Sequence, residues 1–247
     1  MDAFFDPAAL AKAVEQDGFA LVPSSRFTVM LAPDAVQPRN WNDFASSWTD
    51  MPLDTYMADG GRYRRRRFGV FSADAAQPIR RAPHQAHFQL RNYNALNGGV
   101  ERWFEPIPET VTNRPTFQGL LNLSRHLFEA IVGNVAWHIE AHQFRIEAGP
   151  ATAGMPTPEG IHRDGVDFVL VLMVKRHNIQ QGSTTILGND RRELGTFVLA
   201  QPRDAAIVDD RRVFHGVTPV MPLDPTQPAY RDVLVLTYRA LTNSNIA

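Results

Sequence analysis

Gly160-Ile161-His162-Arg163-Asp164-Gly165 is the stretch from which this chain is best read. Extended backbone sends alternate side chains to one face, so His162 and Asp164 are expected to point together and Arg163 away. Farther along, Val213-Phe214-His215-Gly216-Val217-Thr218-Pro219 sets another histidine in a strand-like, apolar context. Two neutral imidazoles and one carboxylate can grip a first-row divalent metal by one face and leave the other face open. Residues so far apart in sequence converge only if strands from different parts of the chain meet at one mouth.

The chain after Val135 supplies such strands. Short apolar runs at 137–147, 160–164, 168–175, 183–187, 194–199, 205–208, 213–219 and 231–239 are separated by Gly, Pro, Asn and Asp. About eight short strands at this spacing predict a sandwich or barrel rather than a βαβ array. The expected fold is mainly β with flanking helices, its core a double-stranded β-helix, a jelly roll of the cupin-like kind. Pro-rich loops at 150–158 and 219–228 are candidate covers over the mouth.

The N-terminal half reads as elaboration. Residues 6–17 form a helix with acidic Asp6 as cap and Pro7 in the first turn; Gly18 breaks it before a strand at 19–22. Trp41, Phe44 and Trp48 at helical spacing predict an amphipathic helix over 40–50, packed onto the body. From Tyr63 to Phe71 the pattern is strand-like and includes Arg64, Arg65, Arg66 and Arg67. Alternation lets at most half of these arginines line one surface, which disfavours a nucleic-acid patch but lets one reach an anionic ligand. The strongest helix spans 116–132, with Phe117, Leu120, Leu121, Leu127, Phe128 and Ile131 on one face and Gly133-Asn134 at its end. One domain over 1–247 is expected, with elaborations in 1–134 and the metal-bearing core in 135–247.

Composition narrows the chemistry. The 247 residues are 44% hydrophobic, enough for a substantial core, and the net charge of −1 gives no reason to expect nucleic acid as partner. Only Lys12 and Lys175 are lysines. No cysteine is present, so disulfides, thiolate nucleophiles and Fe–S clusters are excluded and a metal must sit among His and carboxylate ligands. Met1-Asp2-Ala3-Phe4-Phe5-Asp6 carries acid where a signal peptide carries base, and no apolar run approaches ~20 residues. A cytoplasmic protein without a membrane span is expected. Neither Gly-x-Ser-x-Gly nor a Walker loop occurs.

Taken in order, the segments around His162 and His215, then Tyr230-Arg231-Asp232, resemble the amino-acid-hydroxylating branch of the 2-oxoglutarate/Fe(II) dioxygenases, the branch of the bacterial L-isoleucine dioxygenase. His142-Gln143-Phe144-Arg145-Ile146 resembles a strand of that family upstream of the metal site, so the likeness spans residues 138–239. It implies an enzyme that uses Fe(II), 2-oxoglutarate and O₂ to hydroxylate an unactivated C–H of a small molecule, with the side chain of a free L-amino acid as the expected target. His162, Asp164 and His215 would be the metal ligands. Arg231 would hold the far carboxylate of 2-oxoglutarate, because a guanidinium gives two parallel charge-assisted bonds; Arg239 is the fallback. An ion pair with Asp232 or Asp224 would instead make Arg231 structural.

Gln143 and Arg145 share a strand face. If Phe144 and Ile146 pack into the body, Gln143 is a candidate cosubstrate ligand and Arg145 a candidate for the substrate carboxylate. The pairs His138/His142 and His84/His87 read as structural. Two alternatives stand: a cupin-like metal enzyme without 2-oxoglutarate, and a catalytically silent small-molecule-binding module.

Overall fold

Asp6 opens helix α1 (Pro7–Asp17) by accepting a hydrogen bond from Ala8 N at 3.0 Å, and Gly18, left-handed at φ 81°, closes it. A computed structural model describes residues 6–241. Residues 1–5 of the N-terminal stretch read above as unlike a signal peptide lie outside the described residues. Strand β1 (Phe19–Val22) follows, then α2 (Ser24–Met30), α3 (Pro38–Ser46), β2 (Arg64–Ala73), β3 (Arg80–Arg81), α4 (Glu109–Thr112) and α5 (Pro115–Val132). The strand-rich part comprises β4 (Ala136–Ala148), β5 (Phe168–His177), β6 (Ile179–Gln181), β7 (Thr184–Gly188), β8 (Glu193–Phe197), β9 (Ala205–Asp209), β10 (Val213–Val217), β11 (Val220–Pro222) and β12 (Ala229–Leu241).

A seven-stranded antiparallel sheet runs β1-β9-β5-β12-β4-β2-β3. Alternation gives its two faces different tasks. Trp137, Ile139 and Ala141 on β4 and Leu234, Leu236 and Tyr238 on β12 join Leu10, Phe44, Phe117 and Leu127 of the helices in one core. Within it Phe128 stacks on Phe168 at 4.6 Å and meets Tyr238 edge-on at 4.9 Å. Burying such a ring is worth about 1.5–3 kcal/mol relative to exposure.

The opposite face carries Glu140, His142 and Phe144 on β4 and Arg231, Val233 and Val235 on β12, and it lines a cavity. A smaller sheet, β10-β7-β8, closes over it, with Val213 and Ile186 packed on Val169 and Val208. Two antiparallel sheets face to face around a mouth form the expected jelly roll. Among the described residues no helix is long and apolar enough to cross a membrane.

The structure corrects the reading of 160–164 as a strand. Only His162 makes a ladder contact there, with His215. Gly160 and Gly165 adopt φ of +83° and +80°, which turns the chain out of extended geometry at both ends. Helix α3 also stops at Ser46, short of residue 50, yet Trp48 remains buried and meets Phe44 at 5.1 Å.

Candidate functional site

His162 and His215 are held by mutual backbone hydrogen bonds, each amide donating to the other carbonyl at 2.9 Å. Their rings lie 4.7 Å apart. His162 Nε2 is 3.4 Å from Asp164 Oδ1, and His215 Nε2 is 3.5 Å from Asp164 Oδ2. A ligand atom from each of the three lies within 4.8 Å of the others, a separation one divalent ion spans. The expected convergence is therefore present, although a loop rather than a strand presents two of its members.

Two neighbours prepare this cluster. The Gly160 carbonyl can only accept, so His162 Nδ1, 3.0 Å away, donates to it, and Nε2 is the nitrogen turned toward Asp164. The buried Asp210 carboxylate accepts from the amides of Asp164 at 3.0 Å, Gly165 at 2.8 Å and Val166 at 3.2 Å. That set of bonds gives the loop after His162 its shape.

Charge at the site favours a cation. Burial would lower the pKa of His162, but the hydrogen bond and charge of Asp164, aided by Glu159, raise it to about 9. Burial would raise Asp164, yet His162 and His215 hold it well below the usual carboxylate range. Burial and the Asp164 charge push Asp210 up to about 6. Glu159 Oε1 lies 3.5 Å from His162 Nε2, and its Oε2 is buried without a partner.

Arg231 lines the same cavity. It is 3% exposed, and its Nε and Nη1 are buried without a hydrogen-bond acceptor. Neither aspartate proposed as its partner is free: Asp232 receives Arg145, and Asp224 caps Thr226. Burial and the nearby Arg176 charge lower its pKa to about 10. A buried fork of N–H groups without an acceptor suits the carboxylate of a bound ligand. Arg239 also lines the cavity, with Nη2 3.4 Å from the Gly165 carbonyl.

Gln143 and Arg145 lie elsewhere, against expectation. Gln143 is fully buried on the helix-facing side, its Nε2 donating to Ser47 Oγ at 2.8 Å. Arg145 grips Asp232 through Nε at 2.7 Å and Nη2 at 2.8 Å and lies over the Tyr230 ring at 4.1 Å. The reason is the register of β4. Its odd-numbered side chains turn to the helix side, and Phe144 and Ile146, read as packing into the body, line the cavity with His142 and Glu140.

The same register reveals groups that carried no recognisable motif. Glu140 gathers three imidazoles: His87 Nδ1 at 3.0 Å, His142 Nε2 at 3.4 Å and His138 Nε2 at 3.4 Å. Arg66 Nη2, necessarily a donor, sits 2.7 Å from His142 Nδ1. His142 therefore bears its proton on Nε2 and donates to Glu140, so it has no lone pair directed at a metal. These residues form a charged wall of the cavity, not a second metal centre.

The arginine run divides as alternation predicts. Arg64 and Arg66 line the cavity, while Arg65 pairs with Glu147 and Arg67 reaches Ser47 and Asp50. Of the expected covers, 150–158 contributes Pro156 and Thr157, and 219–228 contributes no lining residue. The unforeseen cover is the segment bearing Phe88, Gln89 and Asn94, tied down by Gln89 Nε2 to the Asp164 carbonyl at 3.0 Å.

A family model described as 2OG-Fe dioxygenase matches residues 45–237. The 3(1)-hydroxy-L-isoleucine 4-dioxygenase of Pantoea ananatis (strain AJ13355) is 24% identical over 237 residues, 92% of this chain and 93% of that protein. The L-isoleucine-4-hydroxylase of Bacillus thuringiensis is 26% identical over 155 residues, 62% of this chain and 64% of its own length. A crystal structure of a bsmA homologue from Methylobium petroleophilum PM1 is 36% identical, with a TM-score of 0.84 over 97% of this chain and 95% of that one.

Proposed function

This chain belongs to the 2OG-Fe dioxygenase family, whose members use Fe(II), 2-oxoglutarate and O₂, and on that premise we propose that it hydroxylates an unactivated C–H in the side chain of a free L-amino acid. The observation that carries this reading is the meeting of His162, Asp164 and His215 with the unpartnered guanidinium of Arg231 in one cavity. In the proposal His162 and His215 hold the iron through Nε2, Asp164 holds it through a carboxylate oxygen, and Arg231 takes the distal carboxylate of 2-oxoglutarate. When bound, the iron and its cosubstrate supply the oxidation: 2-oxoglutarate and O₂ give succinate and CO₂, and one oxygen atom enters the substrate C–H.

The chain's own residues orient and exclude. The Gly160 carbonyl keeps His162 in the tautomer that offers Nε2, and Asp210 holds the loop that presents Asp164. Arg231, buried, offers two N–H groups in a fixed plane. Phe88 and Gln89 line the cavity, and covering it in this way limits water at the reacting centre. The cavity is about 140 Å³, room for on the order of ten waters, and so suits a metabolite-sized ligand. An amino acid as substrate is supported by the names of two relatives, a 3(1)-hydroxy-L-isoleucine 4-dioxygenase and an L-isoleucine-4-hydroxylase.

The test is incubation of the purified protein with Fe(II), 2-oxoglutarate and a panel of L-amino acids. Expected is succinate release together with gain of one oxygen by one amino acid. No succinate above a metal-free control with any panel member would refute the proposal.

A further inference from the structure

A second concentration of charge lies in the same cavity, on the β2 and β4 side. Arg66 is 4% exposed and its guanidinium lies 4.0 Å from the Phe104 ring and 4.7 Å from the Phe144 ring. The two rings fix its plane, while Nε remains buried without an acceptor. Arg102 is 2% exposed, and its Nε and Nη2 are likewise buried and unpartnered. Arg64, by contrast, is neutralised by Asp54 at 2.7 Å.

Two buried guanidiniums with idle donors on one cavity wall are costly without an anion. Burial, followed by the Arg102 and Arg64 charges, pulls the pKa of Arg66 well below its ordinary range, and burial and the Arg64 charge also lower that of Arg102. Besides Asp54, the opposite charges nearby are Glu140 and Glu159. Arg66 and Glu140 touch the two nitrogens of one ring, His142, so a cation and an anion stand close together without bonding each other. Free α-amino acids carry a carboxylate and an ammonium on a single carbon, the complementary arrangement. With Arg64 and Asp54 cancelling, Arg66 and Arg102 balance Glu140 and Glu159, so the wall suits a zwitterion with no net charge better than a dianionic phosphate.

We propose that Arg66 and Arg102 bind the substrate carboxylate and Glu140 its ammonium, so that the enzyme reads an amino acid by its zwitterionic head and lays the side chain toward His162 and His215. This rests on the amino-acid reading above. The floor on that path is apolar: Val233 and Val235 on β12, then Val169 and Val171 on β5. The small sheet that carries His215 packs over β5 and β9. Arg231 stays distinct from the head site. It pairs with Ile146, which pairs with Arg64, so β12 and β2 are two strand spacings apart, about 9–10 Å. Cosubstrate and substrate carboxylates therefore have separate arginines, and the carbon oxidised lies on the side chain, away from the α-carbon.

The test is anaerobic titration calorimetry of the Fe(II)- and 2-oxoglutarate-loaded protein with L-isoleucine, L-leucine and L-norleucine, each beside its carboxamide. Wild type is expected to bind at least one acid about tenfold or more tightly than its amide. Arg102→Met should bring acid and amide within about threefold, and Arg102→Lys should recover part of the preference. Glu140→Gln should weaken the amino acid more than the corresponding des-amino acid. The idea is overturned if wild type binds acid and amide alike, if none of the acids binds, or if Arg102→Met keeps the full preference. Should a variant not fold, the wild-type contrast decides alone. Slow succinate formation by wild type without substrate checks the iron and cosubstrate reading separately, and it can stand while the acid preference fails.

Discussion

His162 and His215 form a single antiparallel bridge, each backbone amide bonded to the other's carbonyl at 2.9 Å, and Asp164 lies within 3.5 Å of both Nε2 atoms. One bridge suffices because the rest of the loop is held from outside. Asp210, in the turn after β9, binds three consecutive amides of that loop. The geometry of the proposed metal site thus depends on a residue outside the three proposed ligands.

Asp210→Asn should lower Fe(II) affinity about 10- to 100-fold while the protein still folds, since the amide replaces a charged acceptor that orients a ligand-bearing loop. Metal titration followed by native mass spectrometry reads the effect. Unchanged affinity would remove Asp210 from any positioning role.

Arg231→Lys should raise KM for 2-oxoglutarate roughly ten- to hundredfold, the equivalent of about 1.5–3 kcal/mol for a charge-assisted bond lost with the planar fork. Fe(II) affinity should not follow. If KM for the cosubstrate stays at the wild-type value, the distal carboxylate is held by another group.

Arg145→Met should cost stability and leave substrate KM alone. The Arg145–Asp232 pair is bidentate and largely buried, with side chains 14% and 1% exposed. Removing one partner leaves an uncompensated carboxylate, at about 3–5 kcal/mol. Urea unfolding measures the loss. A rise in substrate KM at unchanged stability would restore Arg145 as a substrate ligand.

Acid should destabilise the fold partly through His87. Burial first, then the Arg66 charge, lowers its pKa from 6.5 to about 3, against the opposing hydrogen bond to Glu140. The unfolded imidazole titrates near 6.5, so between that value and about 3 the unfolded state holds the extra proton. Stability from this group is complete above pH ~6.5 and is lost as pH falls, by about 1.4 kcal/mol per pH unit. His87→Gln, which does not titrate, should show a shallower fall between pH 6 and 4.5 in urea unfolding. Equal slopes would show that His87 takes up no proton on unfolding.

Much of this protein is legible in its residues. Asp6, Pro7 and Gly18 bound α1 because caps are local chemistry, and the apolar face of 116–132 gives α5 because helical periodicity is local too. Metal ligation demands particular atoms, so His162, Asp164 and His215 stand out before any fold is known. Alternation along 64–67 separates Arg64 and Arg66 from Arg65 and Arg67 for the same reason.

Tertiary structure decided which side each alternating set faces. On β4 a period of two groups Gln143 with Arg145 and His142 with Phe144, but either set could have met the cavity. Helices α1, α3 and α5 claim the face of Trp137, Ile139 and Ala141, and that sends Gln143 and Arg145 to their side of the sheet. Arg102 and His87 belong to no element, and only the path of the segment between β3 and α4 brings them to Arg66 and Glu140. Such meetings depend on packing between distant elements, whereas periodicity along a strand records only which neighbours share a side.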